Sequence, residues 1–195
     1  DDDDTQDSVI MHLRPMSHTA GLTGLATLMR HCDYSENVRT GRYALEPNEG
    51  AFTLFRKLKN GQQASLNLTI PEVRTMDRLA SVLGKKLMLD SATIASALYS
   101  NEVCGKYGYD TCTVAALFVP NTYDVYWNMS MDALMQRMEK EHQHFWKGER
   151  EAKAAQMQLT PVEVCTLASI IDEETANNAE KPMIAGMYLN RLKTN

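Results

Sequence analysis

The chain has 195 residues, a net charge of −5, and 44% hydrophobic but only 7% aromatic residues. That length can bury the core of one or two globular domains. The acidic balance argues against nucleic acid or an anionic membrane surface as the main partner, because both are bound by clustered lysines and arginines. No apolar stretch approaches the roughly 20 residues that span a bilayer, and no signal peptide is visible.

The N-terminal third alternates short predicted elements with clear stops. The opening run Asp1–Asp4 is typical of a solvated tail. Residues 7–13 show a weak alternation of apolar and polar residues and are short enough to predict a strand. A helix is predicted over residues 17–30 from its apolar spacing. Residues 37–48 then predict a strand that ends in a turn at Glu46–Asn48, and a helix from Ala51 should end at Asn60-Gly61.

The middle of the chain predicts a small packing module. Residues 64–70 alternate as a strand does, and helices capped by Thr75 and Ser91 should follow. Residues 116–125 predict an apolar strand broken by a proline turn. A long helix with a methionine-rich apolar face is predicted after Ser130.

The four cysteines and five histidines form no metal-binding pattern. Cys104 and Cys112 lie close together in one loop and could form a disulfide in an oxidising compartment. His142 and His144 are two residues apart on a predicted helix, so they would face different sides. We expect neither a metal site nor a cofactor.

The C-terminal region carries a carboxylate where a helix pattern calls for a core residue. Thr160, Pro161 and Glu163 predict a helix start, because they combine an N-cap, a proline at the first helical position and a capping-box glutamate. The apolar stripe that follows leads next to Glu174; it consists of Val164, Leu167, Ala168 and Ile171. Desolvation there would suit a general acid. The alternative, that the helix simply frays into solvent at Glu174, is left open by periodicity.

Three segments near the C-terminus resemble a family signature. The run LASIIDEET at residues 167–175, the Ala-Glu-Lys-Pro segment after it and the run MYLNRL at 187–192 resemble the endolytic murein transglycosylases, the YceG-like or MltG family. The resemblance assigns the role of catalytic acid to Glu174. Lys181 stands where the family usually has arginine, a departure that leaves this assignment intact.

Two further segments support the resemblance. Residues 116–125 resemble the family's Phe-Leu-Phe-Pro-Asp-Thr-Tyr motif, with Asn121 in place of the aspartate. If the substrate is a glycan, as the resemblance implies, Tyr123 or Tyr126 could stack against a sugar ring. Gly41, Tyr43, Leu45 and Pro47 match its Gly-x-Tyr-x-Leu-x-Pro entry, although any small αβ unit can show that pattern.

The resemblance implies an α+β fold in three parts. Residues 1–63 would form an N-terminal mixed αβ region, residues 64–100 a LysM-like subdomain, and residues 101–195 a mainly helical catalytic domain. Val73 replaces the usual glycine of the LysM-like motif, which favours a packing scaffold over glycan contact. Family members carry an upstream membrane helix and continue beyond the equivalent of Asn195, so we expect a fragment that lacks the anchor and part of the catalytic domain.

The implied activity is lytic cleavage of peptidoglycan within glycan strands, at the bond between N-acetylmuramic acid and N-acetylglucosamine. One glutamate serves as acid and then as base, and the product has a 1,6-anhydro end. Thr175, Glu180 and Asn190 are candidate substrate-binding residues, although Glu180 in the box position after Asn177 is first expected to cap the next helix. The alternative is a non-catalytic cell-wall binding or scaffold protein that retains the fold. A hydrolase would need a second carboxylate, and Asp172 faces elsewhere.

The resemblance also implies where the protein works. Its partners would be glycan strands and the cell-wall synthases, and it would lie at the periplasmic face of the inner membrane of a bacterial cell envelope. No nucleic acid is expected among its partners.

Overall fold

The computed structural model of the chain describes residues 4–194. Apart from Asp4, the predicted solvated tail Asp1–Asp4 lies outside these residues. Residues 4–194 form ten α-helices and one two-stranded antiparallel sheet, so the predicted α+β class is confirmed. In chain order the elements are α1 (Gln6–Leu13), α2 (Thr19–His31), α3 (Ala51–Asn60), β1 (Ser65–Ile70), α4 (Met76–Gly84), α5 (Ser91–Leu98), α6 (Asn101–Gly105), β2 (Asn121–Tyr126), α7 (Met131–Trp146), α8 (Glu149–Gln156), α9 (Pro161–Glu174) and α10 (Lys181–Thr194).

The first element is a helix, so the strand predicted over residues 7–13 is wrong. Thr5 caps α1, with its hydroxyl accepting the Ser8 amide, while the Ser8 side chain accepts the Thr5 amide in return. This reciprocal box satisfies two amides that a helix start leaves unpaired. Leu13 is buried, and Val9 and Ile10 pack against the same cluster. Helical spacing therefore buries the apolar residues better than alternation would.

Helices α2 and α3 complete this N-terminal cluster, whose buried members are Leu13, Leu25, Met29, Tyr34, Leu54, Phe55 and Leu58. Both helices were predicted, and α3 ends as expected at Gly61, whose φ of 64° is readily adopted by glycine. The predicted turn is present, since the Glu49 amide bonds the Glu46 carbonyl. The strand predicted before it is wrong, because residues 37–45 form no ladder.

The central core lies beneath one face of the sheet. Strands β1 and β2 pair antiparallel, with Ser65 opposite Tyr126 and Ile70 opposite Asn121. Alternate residues of both strands enter a cluster with α4, α5 and α7; they are Leu66, Leu68, Ile70, Tyr123 and Val125. This cluster runs from Leu66 to Met138, so it extends across the predicted boundary at residue 100.

Local details of the central unit differ from expectation at two points. Thr75 caps α4 as predicted, whereas α5 is capped by Asp90, one residue before the predicted Ser91. Pro120 does not break an apolar strand: a short 3-10 helix, Val114–Leu117, precedes it, and β2 follows it. Tyr123 is buried, and its hydroxyl donates to the Val119 carbonyl at 2.6 Å, so it is not available for stacking on a sugar. Tyr126 is 55% exposed.

The C-terminal third is helical. The apolar face of α7 is buried as predicted, and it includes His142, which lies among Tyr109 and Trp146. Helix α9 packs against α8 and the 3-10 helix, and α10 packs back on α9. All four cysteines are free thiols, Cys104 buried and Cys112 exposed, so no disulfide joins these two. Within residues 4–194, no helix combines the length and apolarity needed to cross a membrane.

Candidate functional site

The candidate site lies where α9 ends. Thr160 and Glu163 form the predicted capping box, with the Thr160 amide donating to Glu163 Oε2 at 2.7 Å, and α9 then continues to Glu174. Of the predicted apolar stripe, Ile171 is buried, whereas Ala168 and Glu174 itself are exposed. Of the two alternatives that periodicity left open, desolvation and exposure to solvent, the structure therefore shows exposure of Glu174.

A hydroxyl from the next helix contacts this carboxylate. Tyr188 of α10, which is half-buried, donates a hydrogen bond from its hydroxyl to Glu174 Oε1 at 2.9 Å. That hydrogen bond to a carboxylate raises the pKa of Tyr188, so the phenol remains a donor through neutral pH. The Arg191 guanidinium lies 6.0 Å from the centre of the Tyr188 ring. Sequence reasoning missed Tyr188, because 14 residues separate it from Glu174 and no local pattern links them.

The loop between α9 and α10 is closed by Glu180. The Thr175 hydroxyl donates to Glu180 Oε2 and the Asn177 side-chain amide donates to Oε1, both at 2.9 Å. Two backbone amides add to this network, since Asn177 N–H donates to the Thr175 hydroxyl and Ala179 N–H to the Asn177 side-chain oxygen. Thr175 and Glu180, both candidate substrate contacts, are thus bonded to each other.

The predicted capping box of Asn177 and Glu180 is wrong. Helix α10 begins at Lys181, and the Glu180 carbonyl accepts the Ile184 amide at 3.1 Å, which places Glu180 itself immediately before the helix. Its side chain accepts hydrogen bonds from side chains and not from the Asn177 backbone amide. The reason is that residues 178–180 form a turn that delays the helix by one turn.

The two acids before Glu174 have other partners. Asp172 forms an ion pair with Lys181 at the start of α10. Glu173 forms an ion pair with Arg74 Nε, at 2.8 Å, in the segment between β1 and α4. Successive helical residues diverge by about 100°, which sends these three carboxylates in different directions. Glu174 is the member of the trio without an ion pair to any residue that the structure describes.

Asn190 lies on the same helix as Tyr188 and is exposed. A two-residue separation turns its side chain about 200° around α10 from that of Tyr188. Asn190 and Tyr188 therefore leave the helix in different directions, and a substrate contact by Asn190 stays a prediction. Within the described part of the chain, no group of three or more His, Cys, Asp or Glu side chains is placed to hold a metal ion.

Comparison with known proteins assigns the chain to a family. A sequence model of the YceG-like family matches residues 2–195. The chain belongs to the YceG-like family. This family is associated with murein transglycosylase function.

One solved structure extends the likeness of this YceG-like chain to three dimensions. The crystal structure of a protein from Listeria monocytogenes, itself described as YceG-like, superposes with a TM-score of 0.55 at 18% sequence identity. The match covers 98% of this chain and 68% of that one. Such low identity establishes the fold alone. No curated protein matches the chain.

Proposed function

We propose that this YceG-like chain carries the catalytic acid of an endolytic peptidoglycan lytic transglycosylase, and that this acid is Glu174. One observation carries the proposal: of the three consecutive carboxylates, Asp172 and Glu173 are held by cations, whereas Glu174 is held by a neutral hydroxyl. A carboxylate paired with Lys or Arg is stabilised as the anion and is a poor proton donor. Glu174 is the member of the trio best suited to pass a proton in both directions.

The reaction needs one such group. In the protonated form Glu174 gives its proton to the oxygen that bridges N-acetylmuramic acid and N-acetylglucosamine, and the bond from C1 to that oxygen breaks. As the carboxylate, Glu174 then takes the proton from the C6 hydroxyl of the same muramic residue while that oxygen bonds to C1. Atoms and charges balance without water, and the new end is a 1,6-anhydro sugar.

Tyr188 supports this chemistry by its position. Because its hydroxyl donates to Oε1, the other oxygen of Glu174 stays available for the proton that moves. Hydrolysis is less well supported, since it requires a second carboxylate as base or nucleophile. Asp172 would have to take that role, and it is paired with Lys181.

A non-catalytic cell-wall binding or scaffold protein is the second candidate. The exposure of Glu174 favours it, because a general acid gains from a site that excludes water. The Thr175 hydroxyl also donates a hydrogen bond to Glu180 within the loop, which is a structural role for both side chains.

The proposed setting follows the proposed chemistry. We infer that the protein acts on glycan strands beside the cell-wall synthases, at the periplasmic face of the inner membrane of a bacterial cell envelope.

The test compares three proteins on uncrosslinked glycan strands, with products identified by mass spectrometry. The parent should make internal cuts with 1,6-anhydro ends, and Glu174→Gln should make none. Glu173→Gln should retain cleavage, because the Glu173 carboxylate is paired with Arg74 and is not the proposed acid. Reducing ends would mean hydrolysis. Strand binding without cleavage by the parent protein would favour the scaffold.

A further inference from the structure

A basic cleft lies away from α9 and α10. It is a cavity of about 720 Å³ where the segment after α2, the start of β1 and the turn after α4 meet; its lining includes Arg42, Lys85, Lys86, Ser65, Asn67 and Trp127. None of its lining residues belongs to α9 or α10, so it is separate from the Glu174 site.

Hydrogen bonds between distant segments build the walls of this basic cleft. The Asn128 side-chain amide donates to the Thr40 carbonyl at 2.9 Å, and the Ala64 amide donates to the Arg42 carbonyl at 2.7 Å. The Met88 amide donates to the Trp127 carbonyl at 2.9 Å, which holds the Trp127 backbone beside the turn after α4. These bonds set the lining in place before any ligand arrives, and preorganisation favours binding.

The charge of the basic cleft runs opposite to that of the chain. Arg42, Lys85 and Lys86 are exposed, and none of them forms an ion pair with another residue between 4 and 194. The carboxylate in the lining, that of Asp4, lies 4.0 Å from the His12 ring. Three cations therefore face one carboxylate in a protein whose net charge is −5. Such a cluster raises the local concentration of anionic ligands.

The remaining lining suits a sugar. Ser65 and Asn67 project from the exposed face of β1 and offer hydroxyl and amide groups. Trp127 supplies an apolar ring that is partly buried, and Tyr126, directly opposite Ser65 in the sheet, is 55% exposed. Aromatic rings beside hydrogen-bonding groups can hold the apolar face of a sugar and its hydroxyls together.

We propose that the basic cleft binds glycan that carries acidic peptide, with Arg42, Lys85 and Lys86 contacting the peptide carboxylates and Trp127 packing on the adjoining sugar. This inference rests on peptidoglycan being the substrate, as proposed above, but not on cleavage by Glu174. It deepens that proposal, because contacts with the peptide carboxylates would make the protein bind glycan strands that bear peptides more tightly than bare strands.

The test measures binding in the Glu174→Gln background, so that turnover does not consume the ligand. Glycan strands with intact peptides are titrated beside the same strands after amidase treatment, with tryptophan fluorescence as the signal. The chain has two tryptophans, and the second, Trp146, is buried. We expect tighter binding of the peptide-bearing strands, a signal lost in Trp127→Phe, and a Kd raised about tenfold by Lys85→Glu with Lys86→Glu.

A matched charge reversal outside the cleft distinguishes the contribution of Lys85 and Lys86 from the effect of the protein's net charge. Lys106→Glu with Lys140→Glu makes the same change of net charge at exposed lysines outside the cleft, and it should leave the Kd nearly unchanged. Equal losses in the two double variants, or equal affinity for bare and peptide-bearing strands, would overturn the inference. Peptide-dependent binding by a parent protein that cuts nothing would leave the cleft standing while the lytic function failed.

Discussion

Replacing Glu180 would separate an ordering role from a substrate-binding role. Its carboxylate accepts hydrogen bonds from the Thr175 hydroxyl and the Asn177 side-chain amide, both at 2.9 Å. Hydrogen bonds to charged groups contribute about 1.5–3 kcal/mol, and less where water competes, so we expect about 1–2 kcal/mol for this exposed pair together. Glu180→Ala removes both acceptors, so the free energy needed to open the loop between α9 and α10 should fall by that amount.

Amide hydrogen exchange measures the effect at two reporters. The Asn177 and Ala179 amides are bonded inside the loop at 3.0 and 3.1 Å, and their exchange should accelerate about tenfold in Glu180→Ala. Glu180→Gln is the matched variant, because its amide oxygen can accept from Asn177 and its amide nitrogen can donate to Thr175. It should retain most of the protection. If Gln and Ala raised the KM for glycan strands equally while exchange stayed unchanged, the carboxylate would be contacting substrate and the ordering role would be refuted.

Three further predictions concern the site and the cores. Tyr188→Phe keeps the ring but loses the hydroxyl that holds Glu174, so kcat should fall roughly three- to tenfold with little change in KM, and steady-state kinetics with an unchanged kcat would contradict this. Burial lowers the pKa of His142 below 6.5, so the unfolded chain binds the proton more tightly than the folded chain does. The contribution of His142 to the free energy of unfolding should therefore be complete above pH 6.5 and be lost as the pH falls through the pKa of His142 in the folded protein. Urea titrations of His142→Leu should lack this pH-dependent contribution. Leu68 is fully buried, and Leu68→Ala should cost about 2–5 kcal/mol in the same assay, a loss under 1 kcal/mol indicating that the core is misassigned.

The elements that the sequence predicted well are those whose ends are fixed by local chemistry. Thr160 and Glu163 satisfy each other's backbone within four residues, and Gly61 ends α3 by a conformation that few other residues adopt. The same chemistry explains the error at α1. Thr5 and Ser8 form a capping box there, but serine in place of glutamate is a weaker signal of a helix start, and the weak alternation of residues 7–13 predicts a strand instead.

The features that were missed depend on residues far apart in the chain. Residues 37–45 resemble a strand, yet a strand requires a partner, and β1 pairs instead with β2, so that Leu66 lies opposite Val125. The contact of Tyr188 with Glu174 and the ion pair of Arg74 with Glu173 likewise arise only when α10 and the β1–α4 segment pack beside α9. Periodicity describes one helix at a time and cannot reveal such partners.

The exposure of Glu174 bears on both candidate functions, because polymer access and proton transfer make opposite demands. A glycan strand that is cut at an internal bond has to extend past Glu174 in both directions, and a buried carboxylate would prevent this. A general acid benefits from lost water, and a strand lying on Glu174 would itself remove that water. With Oε1 held by Tyr188, the substrate needs to approach only the second oxygen. Exposure in the free protein is therefore compatible with lytic chemistry, whereas a scaffold has no need for the Tyr188 hydroxyl to hold this carboxylate.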